Sequence, residues 1–179
     1  IRDRYQGTMK PTDIRVHNAR PHPGQLTVAK RIREIIADSV IQQSNMDYKK
    51  VQDPYSFRCA PQVHGAVYEA LLGMQSTIYI ELNSTTDNPL VFADAPKLSD
   101  RIVSQGNFHG EILALCADRM SLALFELGSI SERRMDQLLD SSKSGLTPFL
   151  AADSGLESGL MIVQYLSLIH ISEPTRRLV

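Results

Sequence analysis

Cysteine is scarce in this chain of 179 residues, since only Cys59 and Cys116 occur. Two cysteines cannot build the disulfide framework of a small secreted protein. Charge of one sign is equally scarce, because 19 Lys and Arg stand against 20 Asp and Glu. A formal net charge of −1 gives no basic field for nucleic acid or an anionic membrane, and no apolar run reaches the roughly 20 residues that span a bilayer. We therefore expect a cytoplasmic protein with neither partner.

Motifs for metal, nucleotide and serine-hydrolase chemistry are also missing. No Cys-x-x-Cys or His-Glu-x-x-His spacing occurs, and there is no Gly-x-x-x-x-Gly-Lys, Gly-x-Gly-x-x-Gly or Gly-x-Ser-x-Gly. His64 follows Cys59 by five residues, but two ligands do not make a metal site. We expect His64 to be structural and the site to hold no metal.

Apolar residues make up 42% of the chain, and their spacing predicts an all-α fold with long helices. Steps of three and four from Leu26 to Val40 predict an amphipathic helix, and the same spacing continues from Gln62 to about Leu82. The stretch from Asn107 to about Leu127 is apolar nearly all round, which predicts a helix buried on most sides.

Turn-forming residues predict where these helices end. The Asn- and Asp-rich segment 83–89 should break the second helix, and a short hairpin is expected within 90–103. Gly128 permits a break, after which Ser131 is placed to cap a further helix through about Leu139. A last helix is expected from about Leu156.

The segment 52–59, QDPYSFRC, places Tyr55 and Arg58 three residues apart. Arginine offers a planar fork for a carboxylate, and tyrosine a hydroxyl that can donate, accept or lose a proton. A substrate with a carboxylate and an amine suits this pair. The alternative is an ordered loop in which Arg58 caps backbone carbonyls.

Three other polar segments have similar alternatives. Residues 83–89 form either part of a site or an Asn- and Asp-rich turn. In 104–111, His109 or Glu111 could act as an acid or base, or the segment could simply start a helix. The charges of 129–134 favour salt bridges between helices.

Five segments, taken together and in this order, resemble the histidine ammonia-lyases of the aromatic amino acid lyase family. They are ARPHPGQ at 19–25, QDPYSFRCAPQVHG at 52–65, ELNSTTDNPL at 81–90, GNFHGE at 106–111 and ELGSISERR at 126–134. The resemblance extends from about Tyr5 to Tyr165.

This resemblance implies elimination of ammonia from an aromatic amino acid, which in this branch converts L-histidine to urocanate. It implies a long-helix bundle of the fumarase/aspartase-like type, of which this chain is part, and a homotetramer whose sites draw on several subunits. It also implies an electrophile, 4-methylideneimidazol-5-one, formed from an internal Ala-Ser-Gly.

The resemblance assigns roles to five residues. Tyr55 would lie beside the electrophile and the substrate amine, and Arg58 would hold the substrate carboxylate. Gln52 would hydrogen-bond near the same pocket. Asn88 would support the electrophile, and Phe108 would pack against the electrophile or the substrate.

Departures from the family pattern indicate a fragment. The sequence contains no Ala-Ser-Gly, and the resemblance puts the electrophile and the principal catalytic tyrosine upstream of the matched region. Residues 1–166 are therefore interpreted as the central part of a lyase domain. Residues 167–179 turn polar and contain Pro174, so we interpret them as a non-native tail.

Two alternatives stay open. The segment 46–48, Met-Asp-Tyr, departs from the histidine pattern, so a tyrosine or phenylalanine ammonia-lyase or aminomutase of the same family is the second candidate. A non-catalytic helical scaffold would explain the composition. It would not explain why Tyr55, Arg58, Asn88 and Phe108 occur together in family order.

Overall fold

A computed structural model describes residues 7–40 and 51–167, and most of its elements are helices. The helices are α1 (Ile14–Asn18), α2 (Pro23–Ile36), α3 (Tyr55–Arg58), α4 (Ala60–Leu82), α5 (Glu111–Leu139), α6 (Ser141–Ser144) and α7 (Met161–Ser167). Single turns of 3-10 helix occupy Lys10–Thr12, Leu98–Asp100 and Pro148–Leu150. The only strands in the described ranges, β1 (Leu90–Val91) and β2 (Ile102–Val103), form an antiparallel hairpin. The predicted helical class is confirmed.

The described residues divide into two compact units. Residues 70–122 form one, and the described parts of 1–69 and 123–179 form the other, so the boundary falls within α4 and within α5. Across both described ranges, none of the helices combines the length and the apolar character needed to cross a lipid bilayer. The segment 46–48 and all but the first residue of the predicted tail lie outside the described residues.

Helices α2 and α4 approach each other closely at two glycines. A Cβ atom on Gly65 would lie 2.5 Å from the backbone nitrogen of Gln25, and one on Gly24 would lie 2.2 Å from the Gly65 carbonyl oxygen. In the first turn of α2, the Gly24 N–H donates to Glu69 Oε1 at 2.6 Å, which satisfies a helix-end donor. Because α4 follows directly after α3, this contact also holds α3 in its unit.

Two helices begin later than the sequence predicts. Helix α5 starts at Glu111 rather than Asn107, and His109 Nδ1 accepts from the Glu111 N–H at 3.2 Å. The histidine ring thus caps the first N–H of the helix. Helix α7 starts at Met161 rather than Leu156, because the glycines that precede it take left-handed backbone angles and turn the chain.

The break predicted at Gly128 is absent from α5, which runs unbroken to Leu139. A single glycine inside a helix costs only about 1 kcal/mol relative to alanine, which a helix of 29 residues tolerates. Ser131 is not a cap, because its hydroxyl donates to the Leu127 carbonyl oxygen at 2.7 Å within the same helix.

The predicted burial of α5 on most sides is not found in this chain alone. Its large apolar side chains in the first half are exposed, namely Ile112, Leu113, Leu115, Leu122 and Leu124. Several on the second half of α4 are exposed as well, namely Leu72, Ile78, Tyr79, Ile80 and Leu82. The apolar residues of α4 and α5 therefore mark surfaces that the other described residues do not cover.

The contact at Gly65 makes a stability prediction. We expect Gly65→Ala to lower the free energy of unfolding by about 1–3 kcal/mol, because its Cβ would overlap the backbone of α2. Gly73→Ala in the same helix is the matched control, since its Cβ would meet only the Arg119 guanidinium at 3.5 Å. That change should raise stability by up to about 1 kcal/mol. Urea denaturation of the full-length protein measures both, and equal effects would contradict the close approach.

Candidate functional site

Helix α3 is a single turn whose middle is buried and whose ends carry Tyr55 and Arg58. Pro54 precedes it with extended backbone and, having no N–H, suits the start of a helix. Ser56 is 2% exposed and Phe57 5%, whereas Tyr55 is 67% exposed. Residues three apart share one face of a helix. The turn therefore buries one face and presents Tyr55 and Arg58 together on the other.

Three of the predicted site residues are in contact at this turn. Arg58 Nη1 donates to Gln52 Oε1, and Arg58 Cζ lies 5.8 Å from the centre of the Tyr55 ring. The Arg58 guanidinium is thus held between an amide and an aromatic ring. Within the described ranges it caps no backbone carbonyl, which was the alternative interpretation of this loop.

The Tyr55 phenol holds its proton more firmly than an ordinary tyrosine. A hydrogen bond with the Cys59 thiol raises the pKa of Tyr55, and the charge of Cys59 as a thiolate acts in the same direction. The Arg58 guanidinium lowers the Tyr55 pKa, but its effect is smaller. At neutral pH the Tyr55 hydroxyl is therefore a hydrogen-bond donor rather than a base.

A cavity of about 440 Å³ opens beside this turn. Two cationic side chains, Lys10 and Arg58, line it together with the Asp53 carboxylate and with Gln52, Cys59 and Gln62. The Gln62 Oε1 atom is buried and has no hydrogen-bond partner among the described residues. The two cations outnumber the one carboxylate, which already accepts from Thr8, so the lining suits a small ligand that carries a carboxylate.

A buried carboxylate anchors the start of the turn. Asp53 is 5% exposed, and its oxygens accept from the Thr8 backbone N–H at 2.9 Å and from the Thr8 hydroxyl at 2.8 Å. Hydrogen bonds to an ionised acceptor are stronger than neutral ones. This pair ties the loop before Tyr55 to the segment that precedes α1.

Helix α5 anchors the same turn through Arg134, a residue that sequence reasoning did not select. Its Nε and Nη2 atoms donate to the Ser56 carbonyl oxygen at 3.2 and 3.0 Å, and Nη2 lies 2.8 Å from His64 Nε2. His64 is therefore structural, as predicted. Salt bridges between helices were predicted for this charged segment, but the Glu132–Arg133 pair lies within α5.

In the other unit, Asn88 joins two polar loops. Its Oδ1 accepts from the Gln105 N–H at 2.8 Å, and the Gln105 side chain donates to the Asp87 carbonyl oxygen. Phe108 follows in the second loop and is 62% exposed. The side-chain N–H groups of Asn88 have no partner among the described residues.

The predicted site residues thus form two groups, with Gln52, Tyr55 and Arg58 in one unit and Asn88 and Phe108 in the other. Within residues 7–40 and 51–167, no cluster of three or more His, Cys, Asp or Glu side chains could hold a metal ion. The side chains in both sets of residues bind other groups or donate hydrogen bonds, and they are not typical metal ligands.

Residues 2–176 match the family described as aromatic amino acid lyase. The chain belongs to this family. The matched range, residues 2–176, includes both groups of site residues.

Individual members of the lyase family agree with this assignment. Histidine ammonia-lyase of Myxococcus xanthus (strain DK1622) is 49% identical over 167 residues, which are 93% of this chain and 32% of that protein. The crystal structure of histidine ammonia-lyase from Trypanosoma cruzi is 38% identical with a TM-score of 0.83, covering 97% of this chain and 31% of that one. Phenylalanine aminomutase of Pantoea agglomerans is 33% identical with a TM-score of 0.83, covering 97% and 37%. The chain spans about a third of the length of the curated relatives that it matches.

The Asp53 anchor makes a second prediction. Asp53→Ala should lower the free energy of unfolding of the full-length protein by about 1–3 kcal/mol, because the Thr8 N–H loses its acceptor. Asp53→Asn is the matched control. It should cost much less, since its carbonyl can accept from the N–H while its amide donates to the Thr8 hydroxyl oxygen. Urea denaturation measures both, and equal losses of stability would contradict the role assigned to an acceptor for the Thr8 N–H.

Proposed function

We propose that this chain is the central part of a cytoplasmic lyase that eliminates ammonia from L-histidine to give urocanate. The observation that carries the proposal is the contact of Gln52, Tyr55 and Arg58 beside a cavity that Gln52, Arg58 and Lys10 line. Support for histidine comes from curated histidine ammonia-lyases that are 43–49% identical to this chain.

In this proposal Arg58 binds and orients the substrate. Its guanidinium offers two parallel N–H donors to a carboxylate, and the Gln52 oxygen and the Tyr55 ring hold it in place. Orientation matters because the bonds to the β-hydrogen and to the amine nitrogen must break while the C=C bond forms. A displacement of about 1 Å at such a group can cost about a hundredfold in rate.

Tyr55 then acts as a donor. Because the hydrogen bond with Cys59 raises the pKa of Tyr55, the phenol keeps its proton at neutral pH and can donate a hydrogen bond to the amine nitrogen that departs. The base that removes the β-proton is then a group other than Tyr55, as the resemblance implies by putting the principal catalytic tyrosine upstream.

The electrophile of the family fits the donors that this chain supplies. A 4-methylideneimidazol-5-one group withdraws electron density from the substrate and so makes the loss of the poorly acidic β-proton possible. The side-chain N–H groups of Asn88 are free among the described residues to hydrogen-bond its oxygen, and the exposed Phe108 ring can pack against a planar group.

A homotetramer would give the exposed helix faces a cover. The apolar residues in the first half of α5 and the second half of α4 face solvent in this chain. Uncovered apolar patches of this kind mark interaction surfaces. Neighbouring subunits and the remainder of each subunit are the partners that we propose for them.

A tyrosine or phenylalanine ammonia-lyase or aminomutase is the second candidate. The phenylalanine aminomutase of Pantoea agglomerans superposes with the same TM-score, 0.83, as the histidine ammonia-lyase of Trypanosoma cruzi. The fold therefore does not separate the substrates. Ammonia release and amino-group migration with histidine, phenylalanine and tyrosine, compared for the full-length protein, distinguish the two candidates.

The isolated polypeptide 1–179 should give no urocanate from histidine, because its sequence contains no Ala-Ser-Gly from which the electrophile could form. Ultraviolet absorbance of urocanate measures this, with the full-length protein as the active control. Appreciable turnover by the isolated polypeptide would refute the interpretation as a fragment.

In the full-length protein, Tyr55→Phe and Arg58→Lys should each lower kcat/KM by about a hundredfold with the fold intact. Tyr55→Phe removes the hydroxyl donor, and Arg58→Lys keeps the charge but loses the two parallel N–H donors of the guanidinium. The matched controls are Tyr165→Phe and Arg31→Lys, whose side chains are exposed. Steady-state kinetics and circular dichroism measure the outcome, and wild-type rates for both site variants would refute the assigned roles.

A further inference from the structure

We infer that Arg134 is a positioning residue that holds the α3 turn and thereby sets the direction in which Tyr55 and Arg58 point. The inference deepens the proposed function and rests on it. Arg134 itself is not placed against substrate; it acts through the turn.

Arg134 contacts the buried face of the turn in two ways. Two of its nitrogens converge on one acceptor, the Ser56 carbonyl oxygen, at 3.2 and 3.0 Å. Its Cζ atom lies 5.9 Å from the centre of the Phe57 ring, so the guanidinium also has the aromatic contact of a cation–π pair. One planar group thus holds both the backbone and a side chain of the turn.

The turn transmits this restraint directly. Ser56 and Phe57, which Arg134 contacts, are the two residues between Tyr55 and Arg58. In a single helical turn, rotation of the middle residues moves both ends together. Fixing the Ser56 carbonyl therefore fixes the orientation of the phenol and of the carboxylate-binding guanidinium.

His64 completes the anchor from α4. Arginine can only donate, so the 2.8 Å contact requires His64 Nε2 to be the unprotonated acceptor. Burial lowers the pKa of His64, and the Arg134 charge lowers it further, which keeps the ring neutral. Arg134 therefore joins α3 to α4 and α5, which a lysine with one ammonium group could do only in part.

Hydrogen–deuterium exchange in the full-length protein tests the anchor without requiring activity. The Phe57, Arg58 and Cys59 amides donate to carbonyls at the start of the turn, so they report its opening. Arg134→Met should speed their exchange by about tenfold or more, and Arg134→Lys by less. Arg31→Met is the matched control, because Arg31 makes only an exposed pair with Glu34 at 3.5 Å and should leave exchange unchanged. Unchanged exchange in Arg134→Met would overturn the inference.

Kinetics test the positioning, with histamine as a probe that equals histidine without the carboxylate. Arg134→Met should lower kcat/KM by about tenfold to a hundredfold and raise KM for histidine. Inhibition by histamine should weaken less than the binding of histidine, because histamine loses only the Tyr55 contact to the amine, whereas histidine also loses the Arg58 contact to the carboxylate. Equal weakening of histidine and histamine, or kinetics like those of Arg31→Met, would overturn the inference.

The proposed function fails separately if the wild-type full-length protein releases no ammonia from histidine, phenylalanine or tyrosine. The exchange experiment then decides about the anchor alone. Faster exchange in Arg134→Met would support it, and unchanged exchange would overturn it.

Discussion

The burial of Ser56 and Phe57 between two presented side chains is the constraint on which the candidate site depends. With these residues 2% and 5% exposed, the turn cannot rotate without exposing an aromatic ring and unpairing a buried carbonyl, each of which costs free energy. Asp53 fixes the start of the turn, and Gly65 lets α2 pack against the helix that follows it. Tyr55 therefore gains a defined direction although it is mostly exposed itself.

In the unit formed by residues 70–122, the polar loops are held in place but the apolar side chains are exposed. Its polar loops are held by local hydrogen bonds around Asn88 and Gln105, whereas the apolar residues of its helices face solvent. Each large aliphatic side chain gains about 1.5–3 kcal/mol when it is fully buried, so a surface of this kind stabilises only when other protein covers it. The chain covers about a third of its relatives' length, which agrees with cover supplied from outside the described residues.

Sequence reasoning predicted the elements that have a strong local signal. Helices α2 and α4 follow from apolar spacing, and the end of α4 from the polar segment at 83–89. It misplaced the start of α5 because a histidine ring replaces the usual cap. It also predicted a break at Gly128, because local propensity gives too much weight to a single glycine within a long helix.

The site residues also differ in whether the sequence could predict them. Tyr55 and Arg58 could be selected because their chemistry is readable from residue type and spacing, and family resemblance added Gln52, Asn88 and Phe108. Arg134 could not be selected. Its principal acceptor is the Ser56 carbonyl, 78 residues away, and a main-chain group leaves no trace in the residue identity at its position.

The hydrogen bonds also assign the kind of chemistry that this chain contributes. The Gln52 oxygen accepts from Arg58, and the Asn88 oxygen accepts from the Gln105 N–H, so both amides keep their N–H groups and a second oxygen lone pair. Tyr55 keeps its proton because its pKa is raised, and Arg58 is a donor at any ordinary pH. Each of the four polar groups can therefore donate a hydrogen bond. A set of donors binds a carboxylate and stabilises developing negative charge, but it cannot remove a proton from carbon. These four groups therefore supply hydrogen-bond donors rather than the base to the elimination that we propose.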